Sequence, residues 1–228
     1  MVQLPGRTMP TRLFQIASCL LITPATASAA QAADLTQQRQ YYDEAKRALA
    51  KGDKGPYLRY SQALRDYPLT PYLAYDELTA RLKSASNEEI EGFLAKHGDL
   101  PQANWMKLRW LRWLSERGEW NTFAKYYDPK LNFTELDCIN GQYQLSHGKP
   151  AEGFASARKL WNVGKSQPAA CDTLFAMWAA EGQLTEAKRW ERAKLAAQTR
   201  NYALANSLGN TVRIPVRIPN DALRAVRG

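Results

Sequence analysis

Leu108-Arg109-Trp110-Leu111-Arg112-Trp113-Leu114-Ser115-Glu116-Arg117-Gly118-Glu119-Trp120 is the stretch that decides the fold. An apolar run at helical spacing ends in a glycine, and a second run begins at once. Glycine suits the left-handed position just past a helix end, so the segment reads as two helices joined by a tight corner. The same punctuation recurs at Gly52, Gly148 and Gly182. The intervals are 66, 30 and 34 residues, and the midpoint of the first falls at Ala85, within the turn-like Ser84-Ala85-Ser86-Asn87. A period near 33 residues is the mark of a helix–turn–helix solenoid.

Working outward, the body from Leu35 to about Leu208 is rich in Ala, Leu, Lys, Arg, Glu and Gln, the strong helix formers. β-Branched residues never alternate over a strand's length. Cap chemistry fits the corners. Thr70-Pro71 reads as a cap followed by proline at the first helical position. Ser86 with Glu89 forms a capping box, and Thr185-Glu186 opens the helix after Gly182. The expected fold is all-α: helix–turn–helix repeats stacked into a curved superhelix. Each repeat must bury its apolar face against the next.

The N-terminus has the three-part layout of a secretory signal. Arg7 and Arg12 precede an apolar stretch, Leu13 to Ile22. Pro24 then breaks it, and a small-residue run follows with Ala27-Ser28-Ala29 and Ala30-Gln31-Ala32. Residues 1–32 are therefore expected to be a signal peptide, 33–208 the repeat body and 209–228 an irregular tail. About ten apolar residues are too few to cross a bilayer. Ile16-Ala17-Ser18-Cys19 resembles a lipobox, but Leu20-Leu21-Ile22 continue the apolar stretch beyond the cysteine. Export implies the periplasm and an oxidising compartment.

The formal charge is +9. Arg7 and Arg12 supply two of these charges, and Arg213, Arg217, Arg224 and Arg227 against Asp221 supply three, leaving +4 on the body. That mild excess suits an anionic wall polymer better than nucleic acid, which export would also place out of reach. Cys138 and Cys171 remain after removal of a signal. They read either as a disulfide or as two separate buried thiols.

Candidate chemical groups are few. His97 and His147 each precede a glycine at an expected helix end, where imidazole caps a carbonyl; two histidines so far apart make no metal constellation. Trp105, Trp110 and Trp113 lie in one short helix, and Trp120, Trp161, Trp178 and Trp190 follow later. Met106, Trp110 and Trp113 share a stripe, with Trp105, Leu108, Leu111 and Leu114 on the adjoining face, so core packing is expected. Lys107, Arg109 and Arg112 read as a solvated face whose stems cover apolar surface. Glu88, Glu89 and Glu91 are the densest acidic cluster, but they fall in a helix's first turn and not across a cleft. No phosphate loop, nucleophile elbow or Cys-x-x-Cys occurs. The expectation is no catalytic, metal or cofactor residue in this chain.

Several stretches are nonetheless distinctive. Tyr67-Pro68-Leu69-Thr70-Pro71-Tyr72-Leu73 with Leu78-Thr79-Ala80-Arg81-Leu82 resembles the opening helices of the soluble lytic murein transglycosylases of the 70-kDa type. So do Leu108 to Tyr126, and Leu160-Trp161 through Cys171-Asp172, Leu174-Phe175 and Trp178 to Trp190-Glu191-Arg192. The resemblance covers roughly residues 38–208. It implies a U-shaped helical superhelix, and a disulfide between Cys138 and Cys171. It also implies a partner, the glycan strands of peptidoglycan. In that family a separate lysozyme-like domain cleaves the β-1,4 bond between N-acetylmuramic acid and N-acetylglucosamine, leaving a 1,6-anhydro end. A glutamate in a Glu-Ser motif acts there as acid and then base. No Glu-Ser dipeptide occurs in this sequence, so the catalytic role can be carried to no residue here. Val212-Arg213-Ile214-Pro215 and Val216-Arg217-Ile218-Pro219 form a proline-broken repeat that cannot continue the helices. Together these features suggest a scaffold part of such an enzyme, truncated or frameshifted. The alternative is a free-standing helical-repeat binding module.

Overall fold

The computed structural model describes residues 25–64 and 66–212, and side chains from residue 34 onward. The apolar stretch of the expected signal, Cys19 and the tail from Arg213 lie outside the described residues. Among those described, eleven α-helices follow one another: α1 (Ala25–Lys51), α2 (Lys54–Ala63), α3 (Thr70–Ala80), α4 (Asn87–His97), α5 (Pro101–Glu116), α6 (Trp120–Tyr126), α7 (Thr134–Ser146), α8 (Pro150–Trp161), α9 (Ala170–Ala180), α10 (Glu186–Gln198) and α11 (Tyr202–Gly209). The all-helical reading is correct.

The corners work as the glycine spacing requires. Gly52, Gly118, Gly148 and Gly182 have φ of 74°, 72°, 72° and 68°. That region is open to glycine and costly for a residue with a Cβ. Past each glycine the next N–H reaches back five residues: Asp53 to Ala48, Glu119 to Leu114, Lys149 to Gln144 and Gln183 to Trp178, at 2.9–3.2 Å. These are Schellman closures, which satisfy carbonyls that the helix end leaves open. The chain uses the same closure once more without glycine. Arg200, at φ 62°, joins α10 to α11, with Asn201 N–H bonded to the Ala196 carbonyl at 2.8 Å. No glycine marks that corner; Asn201 follows it and caps α11 through the Leu204 N–H.

The break near Ala85 is also present. A short 3-10 turn at Leu82–Ser84 leads into α4, and Ser86 with Glu89 forms the reciprocal capping box. Thr185 caps α10 through the Lys188 N–H. Thr70 differs from expectation. It lies inside α3, and its hydroxyl donates back to the Leu64 carbonyl, so it ties down the α2–α3 turn instead of capping.

The described residues form two compact units, divided between Leu73 and Ala74 inside α3. In the first, α1 packs on α2 around Ala45, Leu64, Tyr67 and Leu73, with several tyrosines at the margin. In the second, α5 packs against α4, α6 and α7, and α7 packs against α8 and α9. Helices α5 and α7 thus each meet the next helix and the one after, which is how stacked hairpins share a core. One cluster gathers Ile90, Phe93, Trp110, Leu111, Leu114, Phe123 and Leu136. The next gathers Cys138, Ala157, Leu160, Cys171, Leu174 and Trp178. Helix α7 supplies both, through Leu136 and Cys138.

Candidate functional site

The sequence left four kinds of group to place: cysteines, tryptophans, histidines and charged clusters. Cys138 on α7 and Cys171 on α9 are fully buried and bonded, with Cα atoms 4.9 Å apart. The disulfide therefore staples the leading helices of two successive hairpins. Close approach of those helices makes it possible. A Cβ on Gly141 would stand 2.8 Å from Leu174, and the Gln142 amide donates to the Ala170 carbonyl at 2.6 Å.

The tryptophans divide. Trp110 and Trp178 are fully buried and Trp161 nearly so. Trp113, Trp120 and Trp190 are half-buried. Trp105 departs from the expected core packing: it is 53% exposed, with its ring 5.3 Å from Phe133. The reason is helical drift. Each step of three residues falls short of a turn by roughly 60°, so three such steps from Trp105 to Leu114 cross half the helix. Leu114 faces the core, and Trp105 shares the outer arc with Arg109 and Glu116.

The basic face behaves as a solvated helix face. Arg109 donates to the Tyr75 hydroxyl at 3.2 Å. Arg112 makes a bidentate pair with Glu135, both bonds 2.6 Å, joining α5 to α7 and holding its guanidinium more firmly protonated. The acidic cluster is likewise occupied. The Glu89 carboxylate accepts from Arg81 and from the Ser86 backbone, which keeps it below the usual carboxylate range. Glu88 is lowered by its own backbone N–H and by the Ser86 hydroxyl. Glu91 lies 3.8 Å from Lys125. Glu88 and Glu89 are thus shifted in the direction opposite to that of a general acid.

His147 caps as expected, its ring Nδ1 donating to the Tyr143 carbonyl at 2.9 Å. His97 ends α4 with its ring 5.2 Å from Phe93, and partial burial lowers its pKa, helped by Lys96. Among the described residues no group of three His, Cys, Asp or Glu side chains is placed to hold a metal. Nor, among them, is any helix long and apolar enough to cross a membrane.

One residue was missed. Arg192 is 4% exposed, with its guanidinium 4.3 Å above the Trp161 ring and 5.4 Å from Phe175. It donates to the Lys165 carbonyl at 3.3 Å, while its Nε is buried without a partner. Desolvation lowers its pKa. Trp190-Glu191-Arg192 gave only a resemblance, because the burial depends on the α8–α9 loop and on Trp161, some 30 residues earlier in the chain.

Known proteins share this helical fold. The lytic transglycosylase Slt of Pseudomonas aeruginosa, solved as an inactive mutant, is 64% identical, with a TM-score of 0.73 over 82% of this chain and 30% of its own. This chain is homologous to one part of the soluble lytic murein transglycosylases. The 70-kDa soluble lytic transglycosylase of Escherichia coli matches with a TM-score of 0.71 at 29% identity over 85% of this chain and 31% of its own. The soluble lytic murein transglycosylase of Escherichia coli K12 is 32% identical over 197 residues, 86% of this chain and 30% of the relative. That of Salmonella typhimurium is 31% identical over 179 residues. No protein-family model matches. The chain thus spans about three-tenths of the length of the transglycosylases it matches.

Proposed function

We propose that this chain is a helical scaffold segment of a murein transglycosylase, exported to the periplasm, where it faces the glycan strands of peptidoglycan. The observation that carries the reading is 64% identity with the transglycosylase Slt across 82% of the chain. Identity at that level supports a shared role as well as a shared fold. In this reading the β-1,4 bond between N-acetylmuramic acid and N-acetylglucosamine is cut by a glutamate that this chain does not carry, so the chain holds substrate and does not cleave it. The carboxylates of Glu88, Glu89 and Glu119 support it, because each is already committed to caps or ion pairs. Residues 1–32 act as the export signal, with Ala27-Ser28-Ala29 and Ala30-Gln31-Ala32 as the processing sites.

The purified chain is tested on insoluble murein sacculi and in a peptidoglycan zymogram. Co-sedimentation with sacculi and no clearing is the expected result. Clearing by this chain alone overturns the scaffold assignment, and failure to sediment with sacculi overturns the glycan-facing one. N-terminal sequencing of periplasmic material is expected to begin at Ala30 or Ala33.

A further inference from the structure

The hairpin corners at Gly118 and Gly148 come together around a cavity of about 330 Å³, lined by Gly118, Glu119, Trp120, Asn121, Thr122 and His147. We infer that this cavity is a sugar subsite that takes one neutral N-acetylated hexosamine ring of a glycan strand. Its size lies at the low end of the roughly 300–1,000 Å³ of small-molecule sites, which suits a single ring.

The Trp120 ring is braced by aromatic neighbours. Trp120 lies 6.0 Å from the Tyr143 ring and 5.9 Å from His147, and Tyr143 lies 4.4 Å from His147. A fixed indole offers a flat apolar face to the C–H face of a pyranose and an N–H at its edge. The polar rim is uncommitted. Among the described residues, the Trp120 indole N–H, the Asn121 amide and the Thr122 hydroxyl have no protein partner, and they are not sealed from solvent. His147 is exposed and spends Nδ1 on the Tyr143 carbonyl, which leaves Nε2 uncommitted. Together they supply donors and acceptors for hydroxyl and acetamido groups.

Charge selects against other ligands. Glu119 is the carboxylate of the cavity, and both its oxygens are taken, one by Arg117 and one by the Asn87 amide at 2.7 Å. Asn87 is itself held by the Trp110 indole N–H at 3.0 Å. With Glu119 neutralised and Lys149 lying 6.0 Å from the Tyr143 ring, the aromatic surfaces have no free negative charge to draw in an ammonium group. No unpaired cation lines the cavity to hold an anion. A neutral, hydroxyl-rich ring is what remains.

The inference deepens the murein-facing reading by naming the surface that meets the strand. It is tested on the full chain with the trisaccharide of β-1,4-linked N-acetylglucosamine, followed through the indole N–H resonances of the seven tryptophans. A saturable shift of the Trp120 resonance is expected, with Trp120→Phe identifying the signal. The double variant Asn121→Ala, Thr122→Ala removes two uncommitted surface groups without touching the core. It is expected to weaken binding about tenfold, a typical effect of losing polar anchors from a site. No saturable Trp120 shift, or equal affinity in the double variant, overturns the subsite. If the trisaccharide overturns the subsite while the wild type still sediments with sacculi, the subsite fails and the murein-facing reading stands. If neither trisaccharide nor sacculi bind, both fail.

Discussion

Arg192 is a charge placed where charge is expensive. Its guanidinium rests on Trp161 with one long hydrogen bond and an unpartnered Nε, so much of its worth is the volume it fills and the ring it covers. Arg192→Met keeps that volume and removes the desolvation cost, and is expected to leave stability within about 1 kcal/mol of wild type. Arg192→Ala opens a cavity beside Trp161 and Phe175 and is expected to cost about 2–4 kcal/mol. Urea denaturation of both variants separates packing from charge: equal losses in the two would mean that the cation itself is what counts. At the same scale Trp105 shows how sequence spacing misleads. Steps of three residues pair neighbours correctly and then walk a residue onto the opposite face of the helix.

Hairpin corners and the bonds between hairpins belong to the scale of elements. Gly148 adopts φ 72° with open space where a Cβ would stand, so Gly148→Ala meets no clash and tests backbone conformation alone. It is expected to lower stability by about 1 kcal/mol. Arg200 holds the same conformation at φ 62°, so Arg200→Gly is expected to be neutral or to stabilise by up to about 1 kcal/mol. Thermal melts read both, and the opposite signs are the check. The Cys138–Cys171 bond closes 33 residues and ties α7 to α9. In the chain-entropy account a loop of that length is worth about 3–4 kcal/mol. Replacing both cysteines by alanine is expected to lower the urea midpoint accordingly. A variant as stable as wild type would mean that the buried contact of Gly141 with Leu174 suffices to hold the two helices.

Across the whole molecule the cores are unequal. Residues 74–212 bury two joined clusters with Trp110, Phe123, Trp161 and Trp178 among them. Residues 25–73 hold one small cluster, Ala45, Leu64, Tyr67 and Leu73, ringed by half-exposed tyrosines. Because local stability follows buried apolar contact, amide exchange is expected to be slowest in α5, α7 and α9 and fastest in α2, none of whose residues is buried. Equal protection in α2 and α7 would contradict that ordering. The sequence by itself determined the helical class, the repeat period, the glycine corners and the capping box at Ser86. All of these rest on interactions between residues within about five positions of one another, and residue types record them directly. The family resemblance was legible for the same reason, since the corners and their flanking aromatics carry it. Other features were decided by the tertiary structure. They include the choice between disulfide and free thiols, the outward face of Trp105, the burial of Arg192 and the meeting of Trp120 with Tyr143 and His147. Each depends on where a helix some 20 to 35 residues away comes to lie, and no local pattern encodes the angle at which two amphipathic helices stack.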